Sequence, residues 1–374
     1  MNIAIVCGAR PNFIKVAPII RAIKNQSNIN DKRSAINYNL IYTGVENDPT
    51  IEDSLFNDLE IDKPGIFLGA DSENINILTG QVMGQFEEYL LKNPTDTVIV
   101  VDDLASTMAT AIVTKKQGIK LAHIAAGTRS FDISMPKEIN RLVIDGLSDI
   151  LFTAGISNNS IANKEGAELS KVYMVGNILI DNLRYCQHRI NSAEMPSDIS
   201  NIIGNNSEKK HKYIVFTLNR KILIGDKTQL KNILSTVIDN AGDNEIIAPL
   251  RKNAKEAILN VAKENGFNMD KFHIVTPLGY LAFCNLMSHA TGIISDSGNV
   301  VEEATFYQIP CITLNDYTEH IETVKVGTNI LVGNDTDKLA SALNDMTGNN
   351  WKKSSIPDRW DGRTAERILQ ILIA

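Results

Sequence analysis

Three stretches of this 374-residue sequence place residue types and spacings where they could do chemistry on an anionic substrate. The first, Gly8-Ala9-Arg10-Pro11-Asn12, follows the apolar run Ile3-Ala4-Ile5-Val6 and opens a helical pattern that carries Lys15 in its first turn. Glycine lets the backbone turn tightly, a helix N-terminus offers N–H groups, and Arg10 and Lys15 add positive charge, a combination suited to a phosphate. An ordinary strand-to-helix turn with surface cations would read the same way. The stretch matches neither the GxGxxG dinucleotide pattern nor the GxxxxGKS phosphate loop.

The second stretch, Asp296-Ser297-Gly298-Asn299, follows the run Gly292–Ser295 and opens a helix with the adjacent acids Glu302 and Glu303. Ser297, Gly298 and Asn299 offer N–H and hydroxyl donors to a diphosphate, and a carboxylate one turn later can accept from a ribose diol. That separation describes a nucleotide lying along one helix; the alternative is a capped helix with solvated acids. The third stretch is Asp102-Asp103, which ends the apolar run Val98-Ile99-Val100-Val101. Neighbouring side chains leaving a strand point to opposite sides, so at least one of these carboxylates should face a crevice, where burial could make it a proton-transfer group. Near His123-Ile124-Ala125-Ala126-Gly127-Thr128-Arg129-Ser130, the residues Arg129, Glu138, Asn140 and Arg141 could build a polar site or a buried ion-pair network, and the second reading is preferred.

Such groups need a scaffold that delivers them to the ends of strands. Short β-branched runs alternate with helical patterns, the mark of an α/β fold with a parallel sheet covered on both faces. Ile3–Val6, Tyr38–Tyr42, Val98–Val101, Leu121–Ile124 and Ile150–Phe152 read as strands of a first sheet, with helices over Asn12–Lys24, Asn76–Asn93, Thr107–Gln117 and Glu138–Gly146. The stretch from about Cys186 to Lys212 is polar and lacks sustained periodicity, so it reads as a boundary. A second series follows, with strands at Tyr213–Thr217, Glu245–Ala248, His273–Val275, Gly292–Ser295 and Cys311–Leu314. Helical patterns at Thr228–Ala241, Ala254–Asn265, Leu278–His289 and Asn299–Phe306 separate them. Two successive α/β units imply a crevice between them, with ligands beyond the carboxyl ends of the strands.

Composition narrows the function classes. There are 37 Lys and Arg against 44 Asp and Glu, a net charge of −7, and 43% hydrophobic residues. This balance suits two globular domains and argues against a nucleic-acid coat or a general anionic-membrane binder. Cys7, Cys186, Cys284 and Cys311 show no CxxC spacing, so zinc sites and disulfides are disfavoured and buried thiols in a reducing cytoplasm are the expectation. The apolar runs are strand-sized, and the N-terminus has no basic, cleavable leader pattern. No metal or cofactor is called for by any of these motifs.

Taken together, the motifs resemble the non-hydrolysing UDP-N-acetylglucosamine 2-epimerase family over nearly the whole chain. The resemblance is carried by GARPNFIKVAPII (Gly8–Ile20), STMA (Ser106–Ala109), HIAAGTRSFDISMPKEINRLV (His123–Val143), VGN with Ile180-Asp181, PLGYLAF (Pro277–Phe283) and DSGNVVEEA (Asp296–Ala304). It implies two Rossmann-like domains facing a central cleft, of the glycosyltransferase-B type. Residues 1–180 and a returning C-terminal helix within about 356–374 would form one domain, and 181–355 the UDP-binding domain. It further implies that Arg10, Ser297 and Gly298 hold the diphosphate, with Asn219 and Arg220 beside it, Glu303 the ribose hydroxyls, and Phe283 the uracil. Lys15 would lie near sugar and phosphates, with Asp103 and Glu138 as proton-transfer groups. The family eliminates UDP across C1–C2 and adds it back after the C2 proton returns on the other face, in the cytoplasm, as a homodimer, on the way to surface polysaccharides.

The departures from the family pattern fall at catalytic places. The family's glycine-aspartate pair is Asp102-Asp103, the glutamate of His-x-Glu-Ala-Gly is Ala125, and the first glutamate of Pro-Glu-Glu is Lys137. The histidine of Thr-x-His-Arg is Asn219, the Pro-x-His-Pro-Arg region reads Pro249-Leu250-Arg251-Lys252-Asn253, Thr-Gly-Gln-His reads Thr43-Gly44-Val45-Glu46, and the arginine after Thr318-Glu319 is His320. Alanine transfers no proton and asparagine is no acid near neutral pH; each missing acid or base costs about 10²–10⁴ in rate. Two kinds of function remain: an enzyme on a UDP-sugar, by epimerisation with Asp103, Glu138 and either Lys137 or Asp102 taking over proton transfer, or by hydrolysis or another reaction of a different nucleotide sugar; or a non-catalytic regulator that binds a uridine nucleotide or a partner protein. A glycosyltransferase on the same fold is the weaker third reading.

Overall fold

The structure, a computed structural model, describes residues 1–29, 36–165, 170–204 and 211–374. The chain divides into two compact units, Met1–Tyr185 with Asp358–Ala374, and Cys186–Pro357. The first unit begins with β1 (Asn2–Cys7), α1 (Arg10–Ile29), β2 (Asn37–Tyr42), α2 (Asp53–Leu59), β3 (Ile66–Phe67), α3 (Ile75–Lys92) and β4 (Thr97–Val101). It continues through α4 (Ala105–Lys116), β5 (Lys120–Ile124), α5 (Pro136–Leu147), β6 (Ile150–Thr153), α6 (Ile156–Glu165), β7 (Lys171–Met174) and α7 (Ile178–Tyr185). Its strands form one sheet in the order β3-β2-β1-β4-β5-β6-β7, with every pair parallel.

The second unit starts with α8 (Gln187–Asn191) and α9 (Ser197–Ile202), then β8 (Tyr213–Phe216), α10 (Lys221–Gly225), α11 (Lys227–Asn240), β9 (Glu245–Pro249), α12 (Lys252–Asn265) and β10 (Phe272–Val275). It closes with α13 (Tyr280–Ser288), β11 (Gly292–Ser295), α14 (Gly298–Tyr307), β12 (Cys311–Thr313), α15 (Ile321–Lys325), β13 (Asn329–Leu331) and α16 (Thr336–Thr347). Its sheet runs β10-β9-β8-β11-β12-β13, again with every pair parallel. Strand order reverses between β1 and β4 in one sheet and between β8 and β11 in the other. In doubly wound sheets such a reversal opens the crevice in which ligands bind.

The sequence explains the central strands directly. Val98, Ile99, Val100 and Val101 are wholly buried, as a strand covered on both faces must be. Helix α1 contains Pro18, which has no N–H to donate to the Ile14 carbonyl; the Asn182 side-chain amide of α7 takes that carbonyl instead. Buried Arg21 donates to the Leu59 carbonyl and to the Asn182 side-chain oxygen. The C-terminal helix α17 (Thr364–Ile373) packs on α1 and α7 within the first unit. Asp181 caps it, accepting from the Thr364 and Ala365 N–H groups at 3.1 and 2.7 Å.

Several elements go beyond the sequence expectation. β3 and β13 are two and three residues long, too short to show a period. The polar stretch expected as a boundary, Cys186 to Lys212, carries the short helices α8 and α9, while its residues 205–210 lie outside the described residues. The four cysteines are free and buried. Among the described residues, no His, Cys, Asp or Glu cluster could hold a metal ion and no helix is long and apolar enough to cross a membrane.

Candidate functional site

At the reversal point of the first sheet, β1 and β4 deliver Gly8 and Asp102 to the same end. Gly8 is a glycine for want of space: a Cβ there would lie 2.1 Å from the Ser106 hydroxyl oxygen on α4. It is absent from the glycines of positive φ, so close approach, and not the tight turn expected from sequence, sets its identity. The Gly8 N–H donates to Asn12 Oδ1 at 2.9 Å, and Asn12 Nδ2 donates to Asp102 Oδ2 at 2.9 Å. Lys15 Nζ pairs with Asp102 Oδ1. Asp102 has φ 58°, the left-handed region that favours glycine and tolerates Asp and Asn. No acidic residue lies in the first turn of α1, so its positive end stays available to an anion beside half-buried Arg10.

Asp103 turns to different partners from those of Asp102. Arg141 Nε donates to its carboxylate at 2.8 Å, Lys137 Nζ lies 3.3 Å away, and Asn140 donates to its carbonyl at 2.8 Å. Burial pushes the Asp103 carboxyl up, but the charges and hydrogen bonds of Lys137 and Arg141 outweigh it and hold it below its ordinary value. Glu138 is treated likewise: burial opposes ionisation, while the Ser130 N–H and hydroxyl, each at 2.8 Å, and Arg141 at 3.1 Å keep it ionised.

These partners come from α5, whose buried face is polar. Glu138, Arg141 and Asp145 recur at i, i+3 and i+7 and are buried, whereas Ile139 and Leu142 on the same helix are 47% and 41% exposed. Asp145 binds His123 Nδ1 at 2.7 Å and Arg129 at 2.7 Å, and His123 Nε2 lies 3.0 Å from the Asp102 carbonyl. The ion-pair network preferred from sequence is therefore present, and it ends on Asp103.

In the second unit, the corresponding ends of β8 and β11 carry the other group of expected residues. Buried Asp296 accepts the N–H groups of Asn219 and Arg220, at 2.8 and 2.6 Å, which fixes the loop after β8 against the start of α14. Arg220 Nε donates to the Asp296 carbonyl at 3.1 Å and its guanidinium to the Tyr317 hydroxyl at 2.7 Å. Ser297 is the N-cap of α14 and its side chain makes no capping hydrogen bond; no acid lies in the first turn. This is a helix N-terminus whose N–H groups and positive dipole end suit a phosphate. A Cβ on Gly298 would lie 2.6 Å from His320 Nε2, and His320 Nδ1 sits 2.9 Å from Glu302.

Of the expected residues, Arg10, Lys15, Asp103 and Glu138 thus lie in the first unit, and Asn219, Arg220, Phe283, Ser297, Gly298 and Glu303 in the second. Half-buried Phe283 is on α13, which packs on α14, and Glu303 is buried there close enough to oppose ionisation of the Tyr280 and Tyr307 phenols, after burial itself. Sequence reasoning missed the hold of Asn12 on Asp102, the His123–Asp145 pair and the His320–Glu302 pair. For α5 a signal existed, since acids and an arginine recur at helical spacing while the apolar residues fall between them.

The sequence model of the family described as UDP-N-acetylglucosamine 2-epimerase matches residues 28–373. The UDP-N-acetylglucosamine 2-epimerase of Methanocaldococcus jannaschii is 34% identical, over 100% of this chain and 99% of that protein. The crystal structure of the Methanocaldococcus jannaschii enzyme in complex with UDP-GlcNAc and UDP superposes with a TM-score of 0.84 at 33% identity, covering 100% of this chain and 99% of that one. The UDP-2,3-diacetamido-2,3-dideoxy-D-glucuronate 2-epimerase of Pseudomonas aeruginosa is 30% identical over 93% of each chain.

Proposed function

The chain belongs to the UDP-N-acetylglucosamine 2-epimerase family, and from that premise we propose that it binds a UDP-N-acetylhexosamine and inverts it at C2 by eliminating and re-adding UDP. The second unit, in this reading, is the UDP-binding domain. The N-terminus of α14, with Ser297 and Gly298, takes the diphosphate together with Arg220, Asn219 and Arg10; Glu303 takes the ribose and Phe283 the uracil. In the first unit Asp103, Glu138 and Lys15 serve the sugar. The observation that carries the reading is the gathering of Lys15, Asp102, Asp103, Lys137 and Glu138 where β1 and β4 reverse strand order, with Asp103 and Glu138 held ionised. Ionised carboxylates suit abstraction of a C2 proton, and fixed cations suit a departing diphosphate.

A second reading draws on Ala125 and Asn219. Where those two positions carry neither acid nor base, a chain that hydrolyses another nucleotide sugar, or binds UDP without turnover, keeps the nucleotide cradle and loses rate. The P. aeruginosa relative, named for a diacetamido-glucuronate sugar, supports testing a second substrate. A cytoplasmic location, a homodimer and a role in surface-polysaccharide precursors belong to the same proposal. Proton NMR of UDP-GlcNAc in heavy water separates the readings. Deuterium at C2 with UDP-ManNAc supports epimerisation, and free UDP with free sugar points to hydrolysis. An unchanged spectrum despite UDP binding by calorimetry rejects turnover of this substrate.

A further inference from the structure

We propose that Asp102 is the proton-transfer group for one face of the sugar, taking up at the end of β4 the duty left vacant by Ala125 at the end of β5. The inference rests on the UDP-sugar reading above and concerns how this chain performs it.

β4 and β5 are parallel with Val101 opposite Ile124, so the next residues, Asp102 and Ala125, leave the sheet side by side. The Asp102 N–H donates to the Ile124 carbonyl at 3.3 Å. Both residues turn out of their strands through the left-handed region, with φ 58° and 67°. An L-residue there costs about 1 kcal/mol relative to glycine, so a side chain kept at position 102 is kept against a backbone preference. Glycine and glutamate are the family residues at these two places; here they are aspartate and alanine. The carboxylate has moved across one strand and not been lost.

The environment of Asp102 differs from that of the neighbouring acids. Asp103 faces two cations, Glu138 two arginines and three donors, and Asp145 an arginine, a histidine and the Gly127 N–H. The side chain of Asp102 answers to one amine, Lys15, and one amide, Asn12, and is the most open of the four at 18%, against 13% for Asp103, 4% for Glu138 and 1% for Asp145. A carboxylate paired with a single amine can accept a proton without stranding several buried cations.

In the elimination step the Asp102 carboxylate takes the C2 proton, the C–H electron pair becomes the second C1–C2 bond, and the C1–O pair leaves with UDP. Asp102 is then a neutral acid, and Lys15 keeps its proton and charge. The proton returned to the opposite face comes from Lys137, which Asp103 holds at 3.3 Å, so that this face depends on both. UDP re-adds to C1, and water carries the proton from Asp102 back to Lys137.

Three variants test this: Asp102→Asn, Asp102→Gly, and Asp102→Gly combined with Ala125→Glu. Each is assayed by C2 deuterium incorporation into UDP-GlcNAc in heavy water, with UDP affinity by calorimetry and the melting temperature alongside. Asn keeps the shape and tolerates the backbone but gives up the pair with Lys15, so proton transfer is told from a structural role by incorporation lost with UDP affinity kept and by the rescue in the double variant. Both single variants should lose incorporation by about 10²–10⁴ while UDP affinity stays within about threefold. The double variant should recover at least about tenfold of the loss in Asp102→Gly. Incorporation in Asp102→Asn within about tenfold of the parent, or a double variant no better than Asp102→Gly, overturns the inference alone. No incorporation in the parent chain overturns both it and the epimerase reading.

Discussion

The two units carry the same strand-to-helix device with opposite electrostatics. Each places a strand-to-helix turn where its parallel sheet reverses order, β1 into α1 and β11 into α14, with no acid in the first turn of either helix. In the second unit the work falls on backbone: Asp296 fixes the neighbouring loop through two N–H groups, and Gly298 lacks the Cβ that would meet His320 Nε2 at 2.6 Å. In the first unit it falls on side chains, where cations and carboxylates saturate one another around Arg141. Backbone donors survive substitution of their own side chains, whereas a proton-transfer group is its side chain. The strand-to-helix turn motifs of both units are the ones retained, and the departures fall on side chains in both: Asp102, Ala125 and Lys137 in the first, Asn219 and His320 in the second.

A second contrast concerns two helix caps. Asp335 caps α16 in the open, accepting from the Asp337 and Lys338 N–H groups, and those bonds hold its carboxyl below the ordinary value. Asp181 caps α17 with the same chemistry, but burial outweighs its two N–H donors and pushes the carboxyl up to about 6. Capping geometry alone does not set the sign; the solvent lost around the charge does.

These contrasts can be broken or sharpened by experiment. Asp103→Asn is expected to lower C2 deuterium incorporation by about 10²–10⁴ while UDP affinity stays within about threefold. Parallel loss of UDP binding would mean that the first unit's charges also hold the nucleotide. Arg141→Leu leaves Asp103 and Glu138 buried without their shared cation, and urea unfolding should register a loss of about 3–5 kcal/mol. Arg141→Lys should recover only part, because one ammonium cannot serve both carboxylates as the guanidinium fork does; full recovery would reduce the network to net charge.

The cap of α17 predicts a pH dependence with a definite sign. An unfolded Asp181 titrates near 3.9, below its folded value of about 6, so the folded state binds the proton more tightly. The stability it contributes is full below about pH 4 and is lost as pH rises through about 6, a loss of up to about 3 kcal/mol. Asp181→Asn should flatten the fall in unfolding free energy between those pH values; an unchanged slope would assign it elsewhere. The smallest effect is expected from Gly298→Ala, whose Cβ would meet His320 Nε2 at 2.6 Å. It should weaken UDP by about tenfold and leave deuterium incorporation at saturating substrate near the parent rate.

The alternation of apolar runs and helical patterns marked most of the central strands, because a strand buried on both faces needs an unbroken β-branched run such as Val98–Val101. Strands of two or three residues, β3 and β13, left no such trace. Among the candidate site residues, Gly8, Lys15, Ser297 and Gly298 were legible for a local reason: a turn and the helix that follows it are contiguous in sequence. The partners of Asp103 were harder, since they lie on the buried polar face of α5 and a polar helical face reads as solvent-exposed until something covers it.

The sequence alone carried two α/β units, the strand-to-helix turn of each, and the family pattern with its departures, all of which depend on neighbours a few residues apart. Only the tertiary structure decided which cation holds which carboxylate, why Gly8 must be glycine, and in which direction burial shifts Asp181. It alone set Asp102 beside Ala125, because the register of two parallel strands joined by a helix brings together residues that no local pattern relates.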